Sequence, residues 1–93
     1  MKNLDKLNKI LCELFEIKDV EDLKDELGPD EIEGWDSMAH IELVLKLEEG
    51  FDISLEVIDV SRMYTIGDIK KILGKYEVEL WFLLIIFLSI HII

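Results

Sequence analysis

The sequence contains little cysteine and little positive charge. One of its 93 residues is cysteine, so an internal disulfide is excluded, and the place of Cys12 in an apolar helical pattern favours a reduced, buried thiol. Ten Lys and Arg residues stand against 21 Asp and Glu, giving a formal net charge of -11. That charge repels nucleic acid and anionic lipid and attracts basic protein surfaces, so we expect protein partners and no nucleic acid.

Signals for secretion and for metal binding are also missing. The N-terminal residues include the charged Lys2, Asp5 and Lys6 and contain no continuous apolar stretch of the signal-peptide type, which predicts a cytoplasmic location. The acidic residues do not follow the order of a calcium-binding loop. His91 has no Cys, His or Asp neighbour at metal-ligand spacing. We therefore predict no metal site.

Nothing in the sequence assigns a catalytic residue. Ser37 and His40 are three positions apart, but the Gly-x-Ser-x-Gly turn, an orienting acid and an oxyanion hole are missing. His40 falls on the apolar side of its predicted helix, which indicates a packed, hydrogen-bonded residue near the preceding loop. The sequence therefore predicts that the chain is not an enzyme.

Length and charge divide the chain into residues 1–77 and a tail of residues 78–93. Residues 1–77 hold 20 of the acidic residues and all ten basic ones, a net charge of -10. Residues 80–93 are 14 residues without a formal charge, and as a helix they reach about 21 Å, short of a ~30 Å hydrocarbon core. Three interpretations stay open: an anchor that gives membrane contact in one leaflet, a segment that packs on the domain or a second copy, and a segment foreign to the domain.

Two features precede the centre of the chain. Leucine, isoleucine and phenylalanine recur every three or four positions between residues 3 and 16, which predicts an amphipathic helix. Residues 17–33 are acidic and contain Gly28-Pro29, so we expect a long loop with at most a short helical turn near Val20. Leu27, Ile32 and Trp35 are the apolar side chains that would fix this loop to the core.

A second helix is predicted to begin at Ser37. Gly34 ends a turn, Asp36 and Ser37 are both favoured at helix starts, and about thirteen residues without Gly or Pro follow, until Gly50 is placed to end the helix. The Ser37 hydroxyl should then be exposed at the loop boundary. The unpaired N–H groups of a helix start also favour a neighbouring phosphate.

Helical spacing separates this second helix into two sides. Glu42, Lys46 and Glu49 form a narrow charged strip, with Met38 and Leu45 at its border. The opposite side is apolar and contains Ile41, Leu43, Val44 and Leu47. Because apolar residues occupy most of the circumference, the helix should be central and largely enclosed, with the strip left facing outward.

The remaining residues complete an all-α prediction. We prefer a short third helix over residues 56–62 to a strand, because an isolated strand has no partner. Thr65 should cap a last helix that runs toward Lys75. The result is a small four-helix bundle, with three longer helices, one short third helix and a long loop between the first two. The predicted core is Leu7, Leu11, Ile41, Val44, Leu47, Ile58, Ile66, Ile69 and Ile72.

Four stretches around the second helix resemble the acyl carrier protein family, the small phosphopantetheine-bearing carriers. They are Gly-Trp-Asp-Ser-Met at 34–38, Ile-Glu-Leu-Val at 41–44, Leu-Glu-Glu at 47–49 and Phe-Asp-Ile at 51–53. The resemblance extends loosely from Leu4 to Leu73. It implies that Ser37 carries a 4'-phosphopantetheine arm donated by coenzyme A and that Asp36 helps the transferase engage. Ala39 stands where the family often has an acidic residue.

The resemblance also implies partners. Met38, Glu42, Leu45, Glu48 and Glu49 match the positions where such carriers meet their enzymes: a phosphopantetheinyl transferase, and acyltransferases, synthases or an acyl-activating ligase with basic surfaces. The leading hypothesis is a carrier that moves acyl thioesters in fatty acid, polyketide or related pathways. Two alternatives stay open: an aminoacyl carrier for D-alanyl or peptidyl groups, and an unmodified acidic adaptor, with or without membrane tethering by its tail.

Overall fold

The computed structural model describes residues 2–80, and within them every regular element is helical. The α-helices are α1 (Asn3–Leu14), α2 (Ser37–Phe51), α3 (Val57–Val60) and α4 (Ile66–Lys75), and a single 3₁₀ turn covers Val20–Asp22. Three longer helices and one short third helix follow a long first loop. The predicted all-α class and element order are therefore confirmed.

The first helix buries one face and ends two residues earlier than its apolar pattern predicts. Leu7 and Leu11 are fully buried, and the Phe15 N–H bonds to the Leu11 carbonyl. Glu16 then adopts a left-handed conformation, with φ of 55°, which ends the helix. Cys12 is a free, partly buried cysteine; burial, together with the negative charge of Asp19, raises the pKa of its thiol.

The prediction that Gly50 ends the second helix is wrong. The helix continues to Phe51, and Asp52 ends it in the left-handed conformation, with φ of 52°. Glycine is placed here for close packing: a Cβ on Gly50 would lie 3.2 Å from Cδ1 of Ile10, and Lys6 Nζ donates to the Gly50 carbonyl at 2.8 Å. Gly50 thus lets α1 approach α2.

The long loop is fixed to the bundle by side chains and by its backbone. Ile32 and Trp35 are buried and Leu27 is partly buried against the core, as predicted. The N–H of Ile66 bonds to the Leu27 carbonyl at 2.9 Å, and the N–H of Gly67 bonds to the carbonyl two residues before Leu27 at 2.8 Å. The acidic loop is therefore tied to the start of α4.

The core differs from the prediction on α2 and α3. Ile41 is 62% exposed and Ile58 is 51% exposed, and Val44 is only partly buried. The fully buried side chains of α2 are Leu43 and Leu47, so this helix is not largely enclosed. The other fully buried leucine and isoleucine side chains are Leu7, Leu11, Ile66, Ile69 and Leu73.

The short third helix, Val57–Val60 rather than residues 56–62, is held by a polar cluster that the sequence does not reveal. Asp59 is 3% exposed, accepts from Lys75 Nζ at 2.6 Å and accepts from the Tyr76 hydroxyl at 2.6 Å. The same hydroxyl accepts from the Glu56 N–H at 2.9 Å. Hydrogen bonds to Asp59 and from the Glu56 backbone therefore hold α3 against the end of α4.

This polar cluster changes the pKa values of its members. The hydrogen bond from Lys75, followed by that from Tyr76, lowers the pKa of Asp59 although burial opposes the shift. The hydrogen bond to Asp59 raises the pKa of Lys75 and that of Tyr76. Each shift favours the protonation state that makes the bonds, so the cluster stabilises the fold at neutral pH.

The described chain continues a few residues past α4. The Val78 N–H bonds to the Leu73 carbonyl, and Val78 and Leu80 are buried with the core. Within residues 2–80 no helix has both the length and the apolar character needed to cross a membrane. The predicted membrane contact of the tail rests mainly on residues 81–93, which lie outside the described residues.

Candidate functional site

The first residue of α2 presents an exposed hydroxyl. Asp36 caps the helix, and its Oδ1 accepts from the Ala39 N–H at 2.8 Å. Ser37 is therefore not the capping residue but the first helical one, and it is exposed. Among residues 2–80 the Ser37 hydroxyl takes part in no hydrogen bond. This side chain is free for chemistry because its neighbour supplies the cap.

The backbone around this hydroxyl favours an anion. The N–H groups of Ser37 and Met38 have no carbonyl one turn earlier to bond to, since they belong to the first turn. The aligned peptide dipoles of α2, which is 15 residues long, add partial positive charge at the same end. A phosphoryl group attached to Ser37 would therefore meet a favourable local field.

A groove runs from Ser37 to the third helix. It has a volume of about 480 Å³, within the range of small-molecule pockets. Its walls come from the end of the loop, the start of α2, and α3 with the turn that follows it. The residues that line it are Pro29, Trp35, Asp36, Ser37, His40, Val57, Val60, Ser61, Met63 and Tyr64.

His40 connects the walls of this groove. Its Nδ1 accepts from the Trp35 indole N–H at 3.0 Å, and its Nε2 lies 2.9 Å from the Val60 carbonyl. Trp35 in turn packs against Phe15, which directly follows the first helix, with ring centroids 5.1 Å apart. The prediction of a packed, hydrogen-bonded His40 near the loop is confirmed, and three parts of the fold meet one turn from Ser37.

The outer side of α2 carries exposed apolar and charged residues together. Met38 is 81% exposed and Leu45 is 59% exposed, and Ile41 adds a third exposed apolar side chain. Glu42 and Glu49 are exposed within the same helical arc, and Lys46 lies at its edge. The helix thus presents a face, made of Met38, Ile41, Glu42, Leu45, Lys46 and Glu49, which we call the outer face.

Glu48 lies apart from the outer face. Its Oε2 accepts from the Leu55 N–H at 2.8 Å, and the residue is partly buried. This bond fixes the segment between α2 and α3, so the side chain has a structural partner. Of the five residues matched to enzyme contacts, Met38, Glu42, Leu45 and Glu49 share the exposed arc.

Sequence reasoning missed Ile41 as a surface residue and missed the groove residues of the third helix and of the turn after it. Helical spacing assigned Ile41 to the inner side, and nothing in the sequence indicated that this side chain would lie outside the packed side of α2. Val57 and Tyr64 are 86% and 67% exposed, so neither follows an inward apolar pattern that could have identified it. In the described part of the chain no group of three or more His, Cys, Asp or Glu side chains is placed to hold a metal ion.

The chain is similar in sequence to a curated protein. Over 70 residues the chain is 34% identical to the acyl carrier protein of Desulforapulum autotrophicum, an alignment that covers 75% of this chain and 91% of that protein. Three curated proteins match the chain significantly. No family model matches it.

Proposed function

Because the chain belongs to the acyl carrier protein family, we propose that it carries acyl groups as thioesters on a 4'-phosphopantetheine arm attached to Ser37. A transferase would move the arm from coenzyme A to the serine oxygen, forming a phosphodiester and releasing adenosine 3',5'-bisphosphate. The thiol at the end of the arm then holds the acyl group. The chain contributes the attachment point and a surface that partner enzymes recognise, and the arm supplies the thiol chemistry.

The observation that carries this proposal is the exposed, unbonded hydroxyl of Ser37 at the start of a long helix. Asp36 supports the proposal because it caps the helix and so leaves the serine hydroxyl free. The favourable field for a phosphodiester at this helix start adds to the support. A purely structural serine would more often be the cap itself.

The outer face supports recognition by enzymes that act on the arm. Met38 and Leu45 offer adaptable apolar contact, and methionine suits surfaces that serve several partners. Glu42 and Glu49 would meet basic groups on the transferase and on acyltransferases, synthases or an acyl-activating ligase. Such rim charges affect the association rate and its salt dependence more than the final affinity. We infer that the outer face binds these enzymes in turn.

The groove beside Ser37 offers space for the first part of the arm. Its walls are mainly apolar side chains, Trp35 and Val57 among them. Contacts in such a groove would hold the part of the arm next to Ser37 against the protein between enzymes. We propose cargo of the acyl class, as in fatty acid, polyketide or related pathways. An aminoacyl cargo would be revealed by the activating enzyme that loads the arm.

The test is modification in vitro. The unmodified protein is incubated with coenzyme A and a phosphopantetheinyl transferase, and the intact mass is measured. We expect one arm on the wild type and none on Ser37→Ala. Ser61→Ala is the matched control, because Ser61 lines the same groove and its hydroxyl already donates to the Ile58 carbonyl at 2.7 Å. A wild type that stays unmodified with several transferases contradicts the proposal.

A further inference from the structure

His40 makes two hydrogen bonds that together define its protonation state. The indole nitrogen of Trp35 is a donor only, so Nδ1 of His40 must be the acceptor of that 3.0 Å bond and carry no proton. The carbonyl of Val60 is an acceptor only, so Nε2 must donate across 2.9 Å. The contacts therefore require a neutral imidazole with its proton on Nε2.

This neutral form joins three parts of the fold through hydrogen bonds. Trp35 is 4% exposed at the end of the long loop and packs on Phe15. Val60 is the last residue of α3. His40 itself lies on α2, three residues after Ser37, and lines the groove with both of its partners. One side chain thus sets the spacing of the groove walls beside the serine.

Adding a proton to His40 removes one of these bonds. A protonated imidazole donates from both nitrogens, so Nδ1–H and the indole N–H would face each other as two donors. Trp35 forms no other side-chain hydrogen bond among residues 2–80, and it is buried. A buried donor without an acceptor is destabilising, so either the indole or the imidazolium must move. The bond to Val60 survives, since Nε2 donates in both forms.

Other ionisable groups surround these contacts on every element involved. Asp36 caps the helix that carries His40, and Glu33 lies in the loop two residues before Trp35. Asp59 and Arg62 flank the end of α3, and Asp59 is already bonded to Lys75 and Tyr76. Tyr64 lines the groove. None of these groups is bonded to the His40 ring in the described part of the chain.

We propose that neutral His40 is a positioning residue of the Ser37 site, and that protonation of its imidazole releases Trp35 and loosens the groove beside the serine. The inference deepens the proposed function and rests on it where the arm is concerned. Histidine suits such a role because its charge changes between about pH 5 and 8. The acid-released state keeps the bond from His40 to Val60 and loses the bond from Trp35.

The first test uses NMR on the full chain without the arm. Background substitutions Trp81→Phe and His91→Gln leave one indole signal and one imidazole signal. Nitrogen shifts of His40 at neutral pH should report the Nε2–H form. The Trp35 indole signal should move toward that of an unstructured indole over the same pH range in which His40 titrates. An Nδ1–H form, or an indole signal that stays fixed while His40 titrates, would overturn the proposal.

The second test links the hydrogen bond between Trp35 and His40 to arm transfer. In His40→Gln the side-chain amide offers an acceptor and a donor at all pH values, so the Trp35 signal should become independent of pH. The wild-type rate of Ser37 modification should fall in acid relative to that of His40→Gln, with transferase activity checked on a carrier that has no histidine at this position. Equal pH profiles would refute the coupling. If Ser37 is modified at no pH, the proposed function fails, while the NMR titration still decides the role of His40.

Discussion

The indole N–H of Trp35 donates to Nδ1 of His40 across 3.0 Å, and the two ring planes lie within 15° of parallel with centroids 6.2 Å apart. The rings therefore meet edge to edge through the hydrogen bond rather than face to face. This contact joins the end of the acidic loop to the second helix, about one helical turn from the exposed Ser37. It makes the geometry of the site depend on a bond between two side chains that are five residues apart.

The energetic coupling of this pair is measurable by a double-mutant cycle. Trp35→Phe removes the indole N–H, and His40→Ala removes its acceptor. Each change should lower the free energy of unfolding at pH 8. The loss in the double mutant should be smaller than the sum of the two single losses by about 1 kcal/mol, the usual net contribution of a hydrogen bond. Urea unfolding of the four proteins gives the coupling. Strict additivity would contradict a bond that contributes to stability.

Acid should weaken the fold partly through Asp59. Its pKa is lowered in the folded state by Lys75 and Tyr76, so its contribution is fully present above the ordinary Asp range and is lost as pH falls through the folded-state value. Asp59→Asn should lower stability at pH 7 and flatten its decline in acid. Urea midpoints measured across pH test this. Asp25→Asn is the control, because Asp25 is 58% exposed in its 2.6 Å ion pair with Lys70, and a surface pair is worth about 0–1 kcal/mol.

Two glycines should respond to alanine in opposite directions. A Cβ on Gly28 would collide with the carbonyl oxygen of Tyr64, a backbone atom that cannot move without disturbing the start of α4. Gly28→Ala should therefore destabilise by about 1–3 kcal/mol. Gly74 lies in α4 with no atom within 4 Å of an added Cβ, so Gly74→Ala should stabilise by about 0.5–1 kcal/mol. Thermal unfolding of both variants measures these changes. A change in stability of the same sign in both variants would contradict this packing.

Charge changes on the outer face should alter arm transfer through binding. Glu42→Lys and Glu49→Lys should each raise the KM of a basic transferase about two- to fivefold with little change in kcat, and Lys46→Glu should lower KM. The effects should shrink at high salt, where the Debye length falls to about 3 Å at 1 M. Glu13→Lys on α1, also exposed, is the control. Salt-independent effects, or an equal effect of the control, would argue against binding at the outer face.

The sequence was sufficient to predict the helices and the position of Ser37, because caps and apolar spacing are local signals. Thr65 caps the last helix as expected, with its Oγ1 accepting from the Asp68 N–H at 3.1 Å. The start of α2 was also local, since Asp36 and Ser37 are adjacent to the turn at Gly34. These local signals were enough to predict where each of the two helices begins.

The burial of individual side chains could not be predicted in the same way. Helical spacing separates Ile41 from Glu42, but it does not show how much of the apolar side of α2 the rest of the fold covers, and Ile41 is 62% exposed. Asp59 appears in sequence as an ordinary surface carboxylate, and its burial depends on Lys75 and Tyr76 from a different helix. Both outcomes are tertiary, since they are determined by contacts between distant segments.

The modification state of the chain from cells that produce it naturally tests the central claim most directly. Intact mass spectrometry, followed by fragmentation, measures any added group and its position. The account predicts a mass increase of one phosphopantetheine arm, with or without an acyl group on its thiol, located on Ser37. A chain whose mass matches the bare sequence, in cells that modify other carriers, would contradict it and favour an unmodified acidic adaptor.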